Sequence, residues 1–300
     1  MKRVLIYFAV VMVLSFAGCT RTADVNIPPH TSLLVLHGYV PVGEHFRVAL
    51  GKSLSVRVPV TDTGNLVTNG WVLLYEENVF IDSLEYDPVD RMYVSNNSLA
   101  VAGRRYKIIA GAPGFVPVEA ETIATGHVPT TSVVNIKNAR STTDGTLLND
   151  IRFRFQDPLA FDNFYITELH TVFGGYECVY TYDPAVERYT GASAPFDQTS
   201  CIGNEEIIYN DRSFNGQQKE ITISASAQSV EPFFDAASGI EFKAYLIRRN
   251  VSEDHYRYFK NQVVLAAEGP TFSNPANIRT NVKNGYGLFS VYSVAVDTLP

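Results

Sequence analysis

Three hundred residues with 46% hydrophobic content hold enough apolar material for the packed cores of two ordinary domains, which excludes a disordered or collagen-like chain. The formal charge is -7, and it becomes -9 once Lys2 and Arg3 are set aside. With no lysine or arginine run beyond Arg3, this dispersed acidity speaks against nucleic acid or an anionic lipid surface as the main partner.

The chain opens with Lys2 and Arg3, an apolar run from Val4 to Leu14, and the small-residue stretch Ser15-Phe16-Ala17-Gly18-Cys19. The run falls short of the roughly 20 residues a membrane-spanning helix needs. Residues 1–18 are therefore expected to be a removable lipoprotein signal, with Cys19 as the lipid-attachment point. Phe16 stands where leucine is usual, so plain secretion with a structural Cys19 is the alternative. Residues 19–30, with Pro28-Pro29, read as a polar tether. The expected location is the cell envelope, lipid-anchored, at the outer membrane.

From there the pattern is strands. Leu33 to Val40 is apolar, and Phe46, Val48 and Leu50 alternate with Arg47 and Ala49 at the period of a half-buried strand. Trp71–Tyr75, Tyr106–Ala110 and Phe115–Ile123 continue the pattern. Asn69-Gly70 and Gly111-Ala112-Pro113-Gly114 serve as turns. Residues 31–130 are thus expected to form an antiparallel β-sandwich. Val128-Pro129-Thr130-Thr131-Ser132 reads as a boundary and Asn138–Asn149 as a polar surface loop. Residues 131–300 are expected to be a second antiparallel β domain. Its strand candidates are Ile151–Phe155, Phe164–Phe173, Ile207–Tyr209, Ile221–Ala225, Ile240–Ile247 and Leu288–Val296, with a tight turn at Asn215-Gly216. One helix is predicted near 252–267. Ser252 caps it, Glu253 and Asp254 suit its positive end, and Tyr256, Phe259 and Val263 share a face. It is expected to be packing rather than a lid.

Three cysteines fit an oxidising compartment. With Cys19 lipidated, Cys178 and Cys201 remain as an even pair, and a disulfide between them would close the irregular stretch from Val179 to Ser200. Two unpaired buried thiols are the competing reading. Metal sites, cofactors and catalytic residues are not expected. The six histidines, at 30, 37, 45, 127, 170 and 255, show no metal-binding spacing, although His37 and His45 could face each other across a hairpin. Glu119 and Glu121 share one side of a strand and are expected to be a solvated face. The better pointer is aromatic content, 17 Tyr and 18 Phe. Tyrosines at 165, 176, 180, 182, 189, 256, 258, 286 and 292 offer flat apolar area with a polar tip, suited to sugar or protein contact, with sandwich packing accounting for most of them.

Several short motifs in this order span nearly the whole chain. They are Cys19, Leu33-Leu34-Val35-Leu36-His37-Gly38-Tyr39-Val40, Val101-Ala102-Gly103-Arg104-Arg105-Tyr106, Phe153-Arg154-Phe155-Gln156-Asp157-Pro158, Phe214-Asn215-Gly216-Gln217, Asn274-Pro275-Ala276-Asn277-Ile278 and Asn284-Gly285-Tyr286-Gly287-Leu288-Phe289. In them the chain resembles a group of Bacteroidetes lipoproteins known as domain-of-unknown-function family 4249. The first domain also resembles the immunoglobulin-like modules that begin such surface proteins. The resemblance implies an envelope lipoprotein working beside a TonB-dependent outer-membrane transporter, and it carries over no catalytic residues. The expected function is therefore a non-enzymatic binding or accessory component. The alternative is an adhesin or pilus-type protein whose tail, Leu288 to Val296, donates a strand to a neighbour.

Overall fold

The computed structural model describes residues 30–55, 65–142, 144–159, 162–181, 183–186, 206–268 and 278–300. The chain divides into two units, Met1–Thr31 and Ser32–Pro300, and every described strand belongs to the second. The first seven strands are β1 (Leu34–Pro41), β2 (His45–Lys52), β3 (Trp71–Glu76), β4 (Val79–Asp87), β5 (Met92–Leu99), β6 (Arg105–Gly111) and β7 (Val118–Ile123). Next come β8 (Thr130–Ser141), β9 (Leu147–Gln156), β10 (Phe164–His170), β11 (Glu206–Asn210), β12 (Gln218–Ser226), β13 (Phe233–Asp235) and β14 (Ile240–Phe242). The last three are β15 (Tyr245–Val251), β16 (Val282–Lys283) and β17 (Tyr286–Thr298). A 3-10 turn (Asp211–Ser213) and two helices, α1 (Ala227–Val230) and α2 (Glu253–Glu268), complete the described elements. The protein is mostly β, as its alternating patterns predict.

Twelve strands form one sheet in the order β11-β10-β15-β17-β1-β2-β5-β4-β3-β6-β7-β16. Neighbours are antiparallel except β1 and β17, which run parallel from Val35 beside Tyr286 to Pro41 beside Tyr292. A twisted sheet of this many strands must curl, and the curl brings β7 back against β17. Asn281 staples that closure. Its Nδ2 donates to the carbonyls of Glu121 (3.1 Å) and Phe289 (2.7 Å), and its Oδ1 accepts from the Phe289 N–H (3.0 Å).

Inside the curl lies the first core. Inward residues alternate along each strand: Leu34 and Leu36 on β1, Phe46, Val48 and Leu50 on β2, Val72 and Leu74 on β3, Ile108 on β6, Phe289 and Val291 on β17. Phe46 packs its ring 4.8 Å from Tyr106. A second core forms where β8, β9 and β12, a separate three-stranded sheet, lay Ile151, Phe153, Phe155, Ile221 and Ile223 over Tyr165, Tyr209 and Leu246 of the main sheet. The buried Arg248 places its guanidinium 4.0 Å over the Phe155 ring and donates to the Val128 carbonyl at 2.6 Å. On the opposite face of the main sheet, α2 covers Phe164, Ile166, Ile208 and Val251. With both faces covered, β10 is buried from Phe164 to Leu169 and reads as a continuous run without alternation.

The first core draws on Leu34 to Ala124 together with Val282, Phe289 and Val291, the second on residues from Val128 to Leu299, and both lie within the one unit Ser32–Pro300. β17 belongs to both, with Phe289 and Val291 in the first core and the adjoining Leu299 in the second.

Some elements differ from the sequence reading. Asn138–Asn149 is no loop: β8 and β9 pair through Arg140 beside Leu148, and only the turn between them is irregular. Polar groups bond across it, with Arg140 bidentate to Asp150 and the Asn138 backbone N–H donating to Asn149 Oδ1. Strand ladders use backbone groups, so such a hairpin needs no apolar pattern. Ile240–Ile247 splits into β14, which pairs β13, and β15, which pairs β10 and β17. β4 and β5 have weak alternation and escape the pattern reading. β5 carries Ser95-Asn96-Asn97-Ser98, with the Ser95 hydroxyl on Asp82 and accepting from the Ser98 N–H.

Candidate functional site

Two of the three predicted cysteine sites, Cys19 and Cys201, lie outside the described residues. Cys178 lies in the segment that follows β10, held by the Glu177 N–H donating to the Leu169 carbonyl and the Tyr180 N–H donating to that of Ser224. His37 and His45 do not face each other. His37 pairs with Ala49, and His45 turns away to pair with Leu99 because Pro41-Val42-Gly43-Glu44 makes the turn between β1 and β2. Glu119 and Glu121 stand on the outer side of β7, paired with Lys283 at 2.9 Å and Arg105 at 3.0 Å. Among the described residues, no group of three or more His, Cys, Asp and Glu could hold a metal ion.

The predicted tyrosines separate into two populations. Tyr165, Tyr256 and Tyr258 are buried, Tyr180 and Tyr292 are half-buried, and Tyr176 and Tyr286 are exposed. Tyr182 and Tyr189 lie outside the described residues.

Tyr165 fills the second core, whereas Tyr256, Tyr258 and Tyr292 belong to a polar row under α2, on the opposite sheet face. Strand alternation places Glu168, Arg249, Ser290, Tyr292, Tyr39 and His37 on that face. Glu168 is 1% exposed and accepts from Arg249 Nη2 at 2.5 Å, with His170 at 3.1 Å and Glu206 on the far side of the guanidinium. Burial works against the Arg249 charge, yet Glu168, Tyr292 and Glu206 beside it hold its pKa above the ordinary value. Burial raises Tyr39, Tyr258 and Tyr292, so all three stay protonated near neutrality. It lowers His37, and it pulls His255 to about 3 with help from the Arg249 charge. His255 Nδ1 lies 2.9 Å from Ser290 Oγ, the separation of a nucleophile and its base. Both residues are sealed under the helix, and a histidine held near 3 is a weak base at neutral pH. The pair works as a packing bond between α2 and β17.

Open chemistry lies elsewhere. The β13–β14 hairpin stands off the main sheet, and Phe233 faces Phe242 across it. Phe233 is 47% exposed, Phe234 61% and Phe242 40%, and Phe173 joins them at 66% with its ring 6.1 Å from Phe233. Exposed Ile240 extends the patch along the hairpin. Exposed Tyr245 flanks it, since it pairs with His170, which bridges to Tyr176. Contiguous exposed apolar surface of this kind marks a contact site, and aromatic side chains dominate such contacts.

The family model described as a domain of unknown function, DUF4249, matches residues 20–298. The chain belongs to the DUF4249 family. No curated protein matches it.

In this DUF4249 chain the motifs that carry the resemblance hold turns and strand contacts. Asp157 of Phe153-Arg154-Phe155-Gln156-Asp157-Pro158 accepts from Tyr165 Oη at 2.5 Å and from the Gly216 N–H at 2.9 Å. That ties the motif to Phe214-Asn215-Gly216-Gln217, where Gly216 takes φ +71 and the Gln217 N–H donates to the Phe214 carbonyl. Burial raises the Asp157 carboxyl, partly opposed by those two donors. Asn284 turns at φ 62 between β16 and β17. The hairpin patch was missed by sequence reading, although a signal existed in Pro232-Phe233-Phe234-Asp235. Two adjacent phenylalanines on an extended segment point to opposite faces, so a free-standing hairpin cannot bury both.

Proposed function

We propose that this chain is a non-catalytic, lipid-anchored binding component of the cell envelope that docks on another envelope protein through the β13–β14 aromatic hairpin. One observation carries the reading: Phe233 and Phe242 on one face of a hairpin outside the main sheet, with Phe173 beside Phe233, present open aromatic surface. The anchor is Cys19, and the partner is a TonB-dependent outer-membrane transporter, in keeping with the resemblance of this chain to envelope lipoproteins.

The chain enters the sheet at Leu34, beside the start of β17, while the patch lies beside Thr298 at its end. Twelve residue steps at about 3.3 Å separate them, roughly 40 Å along the strand. A lipid at Cys19 would confine the molecule to two dimensions and raise its effective concentration near a membrane-embedded partner. In the same reading, residues 31–130 are an immunoglobulin-like module and Cys178 pairs with Cys201, consistent with Cys178 being no free thiol. The adhesin alternative loses its donor. Leu288–Val296 lies within β17, hydrogen-bonded to β1 on one side and β15 on the other, so donating it would dismantle the centre of the sheet.

Replacing Cys19→Ala should move the protein from the membrane fraction to the soluble fraction of lysed cells. Continued sedimentation of the variant with membranes would refute the anchor.

A further inference from the structure

The end of β17 passes close to the start of β8, and a cleft of about 300 Å³ lies between them. Clefts of that size suit small ligands. It is lined by residues 130–133 of β8 and by Asp297, Thr298 and Pro300. Pairing fixes each wall. Asp297 lies beside Leu246 and Thr298 beside Tyr245, and beyond them the Leu299 N–H donates to the Ala244 carbonyl at 2.9 Å. Leu246 belongs to the second core, and cross-strand partners share a face, so Asp297 projects on the side that β8 covers. On β8 the register shifts between Thr130, beside Phe155, and Ser132, beside Arg154, which leaves Thr131 as the extra residue of a bulge. Asn135 Nδ2 donates to the Pro300 carbonyl at 3.3 Å and ties the two walls together.

The cleft is rich in acceptors. Thr130 Oγ1 and Asp297 Oδ2 are buried, and neither has a hydrogen-bond partner. Asn135 Oδ1, on the amide that holds Pro300, is a third oxygen of this kind. Asp297 makes no ion pair among the described residues, and none of the lining residues is a lysine, arginine or histidine. Buried polar oxygens are nearly always hydrogen-bonded, and a carboxylate is the costliest to leave unpaired. A primary ammonium brings one positive charge and three N–H donors, which matches this set in charge and in number. Val133 and Pro300 supply apolar surface along which an alkyl stem lies, as lysine stems do. Calcium is a poorer match, because it takes about six to eight oxygens, several of them from carboxylates. Asp297 is the single carboxylate in the lining.

We propose that this cleft binds a primary ammonium group on an alkyl stem, with Asp297 supplying the charge and Thr130 a further acceptor. The ammonium belongs either to a small free amine or to a lysine of a partner protein. The site needs neither the lipid anchor nor the aromatic hairpin. The test is a saturation-transfer NMR titration of n-butylammonium chloride into the purified full-length chain in nonionic detergent at low ionic strength. Saturable binding is expected. Tetramethylammonium, which has the charge but no N–H donor, should bind at least about tenfold more weakly. Asp297→Asn keeps the shape and removes the charge, and it should weaken butylammonium about tenfold. Asp90→Asn, at an exposed carboxylate paired with Arg47 on a different part of the sheet, should leave the affinity unchanged. The comparison of the two cations is made on wild-type protein and holds however the variants fold. The peptide acetyl-Gly-Lys-Gly-amide separates the sources. Affinity equal to that of butylammonium identifies a free amine, and affinity at least about tenfold higher identifies a lysine presented by a protein. Absence of saturable binding by both amines overturns the site, as does equal binding of tetramethylammonium or an unchanged affinity in Asp297→Asn.

Discussion

A methyl group at Gly287 would sit 1.9 Å from the Leu36 carbonyl oxygen, on a backbone at φ +113 that side chains rarely adopt. Gly285 is next to it on the same contact, where a Cβ would meet the Leu34 carbonyl oxygen at 2.4 Å. Both glycines exist so that β17 can approach β1 closely enough to pair. Gly287→Ala should cost at least about 3 kcal/mol through clash and strain together, read as a lowered midpoint in chemical denaturation. A loss under about 1 kcal/mol would show that the strands do not meet as described. His255 carries a different prediction. Unfolded it titrates near its ordinary 6.5, and folded it is held to about 3. Between those values the unfolded state binds the extra proton. Stability should therefore fall as pH drops through that window, by up to about 1.4 kcal/mol per pH unit. The difference between wild type and His255→Gln isolates this residue from the carboxyls that titrate nearby. Identical pH slopes in the two proteins would contradict its burial. At this scale the sequence was partly readable. Asn284-Gly285 announces a turn by itself, whereas the need for Gly287 arises only when a strand far away in sequence is laid beside it.

Among the elements, α2 was legible because its signals are local. The Ser252 Oγ accepts from the His255 N–H at 3.3 Å, as a cap should, and acids occupy the first turn. Strands with one buried face, such as β2 and β9, were legible for the same reason. β4 was not, because Leu84 is its single fully buried position and, apart from Tyr86, little of the rest packs on the core. The pairing of β1 with β17 was also hidden. It joins the two ends of the folded region, and no local pattern records which strand a tail will choose. Closure of the curl depends on Asn281, whose three hydrogen bonds serve β7 and β17 together. Asn281→Ala leaves the Phe289 N–H and the two carbonyls to find new partners, at a cost of about 2–3 kcal/mol. Amide exchange in β7 and β17 should accelerate, while exchange in the β8–β9 hairpin should not. Uniform acceleration across all strands would instead mean that Asn281 supports the fold globally.

On the scale of the whole molecule, composition and charge described an acidic β protein, and the aromatic count hinted at contact surface without locating it. Of the tyrosines singled out in the sequence, Tyr165 fills a core and Tyr256, Tyr258 and Tyr292 belong to the row under α2. Three of the exposed aromatics, Phe233, Phe234 and Phe242, sit on one short hairpin, placed there by the break between β14 and β15. That break follows from pairing, with β14 bound to β13 and β15 claimed by β10 and β17. The proposed function joins a lipid on Cys19 to docking through the aromatic hairpin beside the end of β17. The measurement that tests it most directly is gentle detergent extraction of native envelopes, with mass spectrometry of whatever copurifies with the wild-type chain and with Phe233→Ser/Phe242→Ser. Both side chains are exposed, so the double variant should fold and remain membrane-bound. The account predicts a stoichiometric β-barrel transporter with the wild type and its loss from the variant. A chain that extracts alone, or a partner retained in full by the variant, would contradict it.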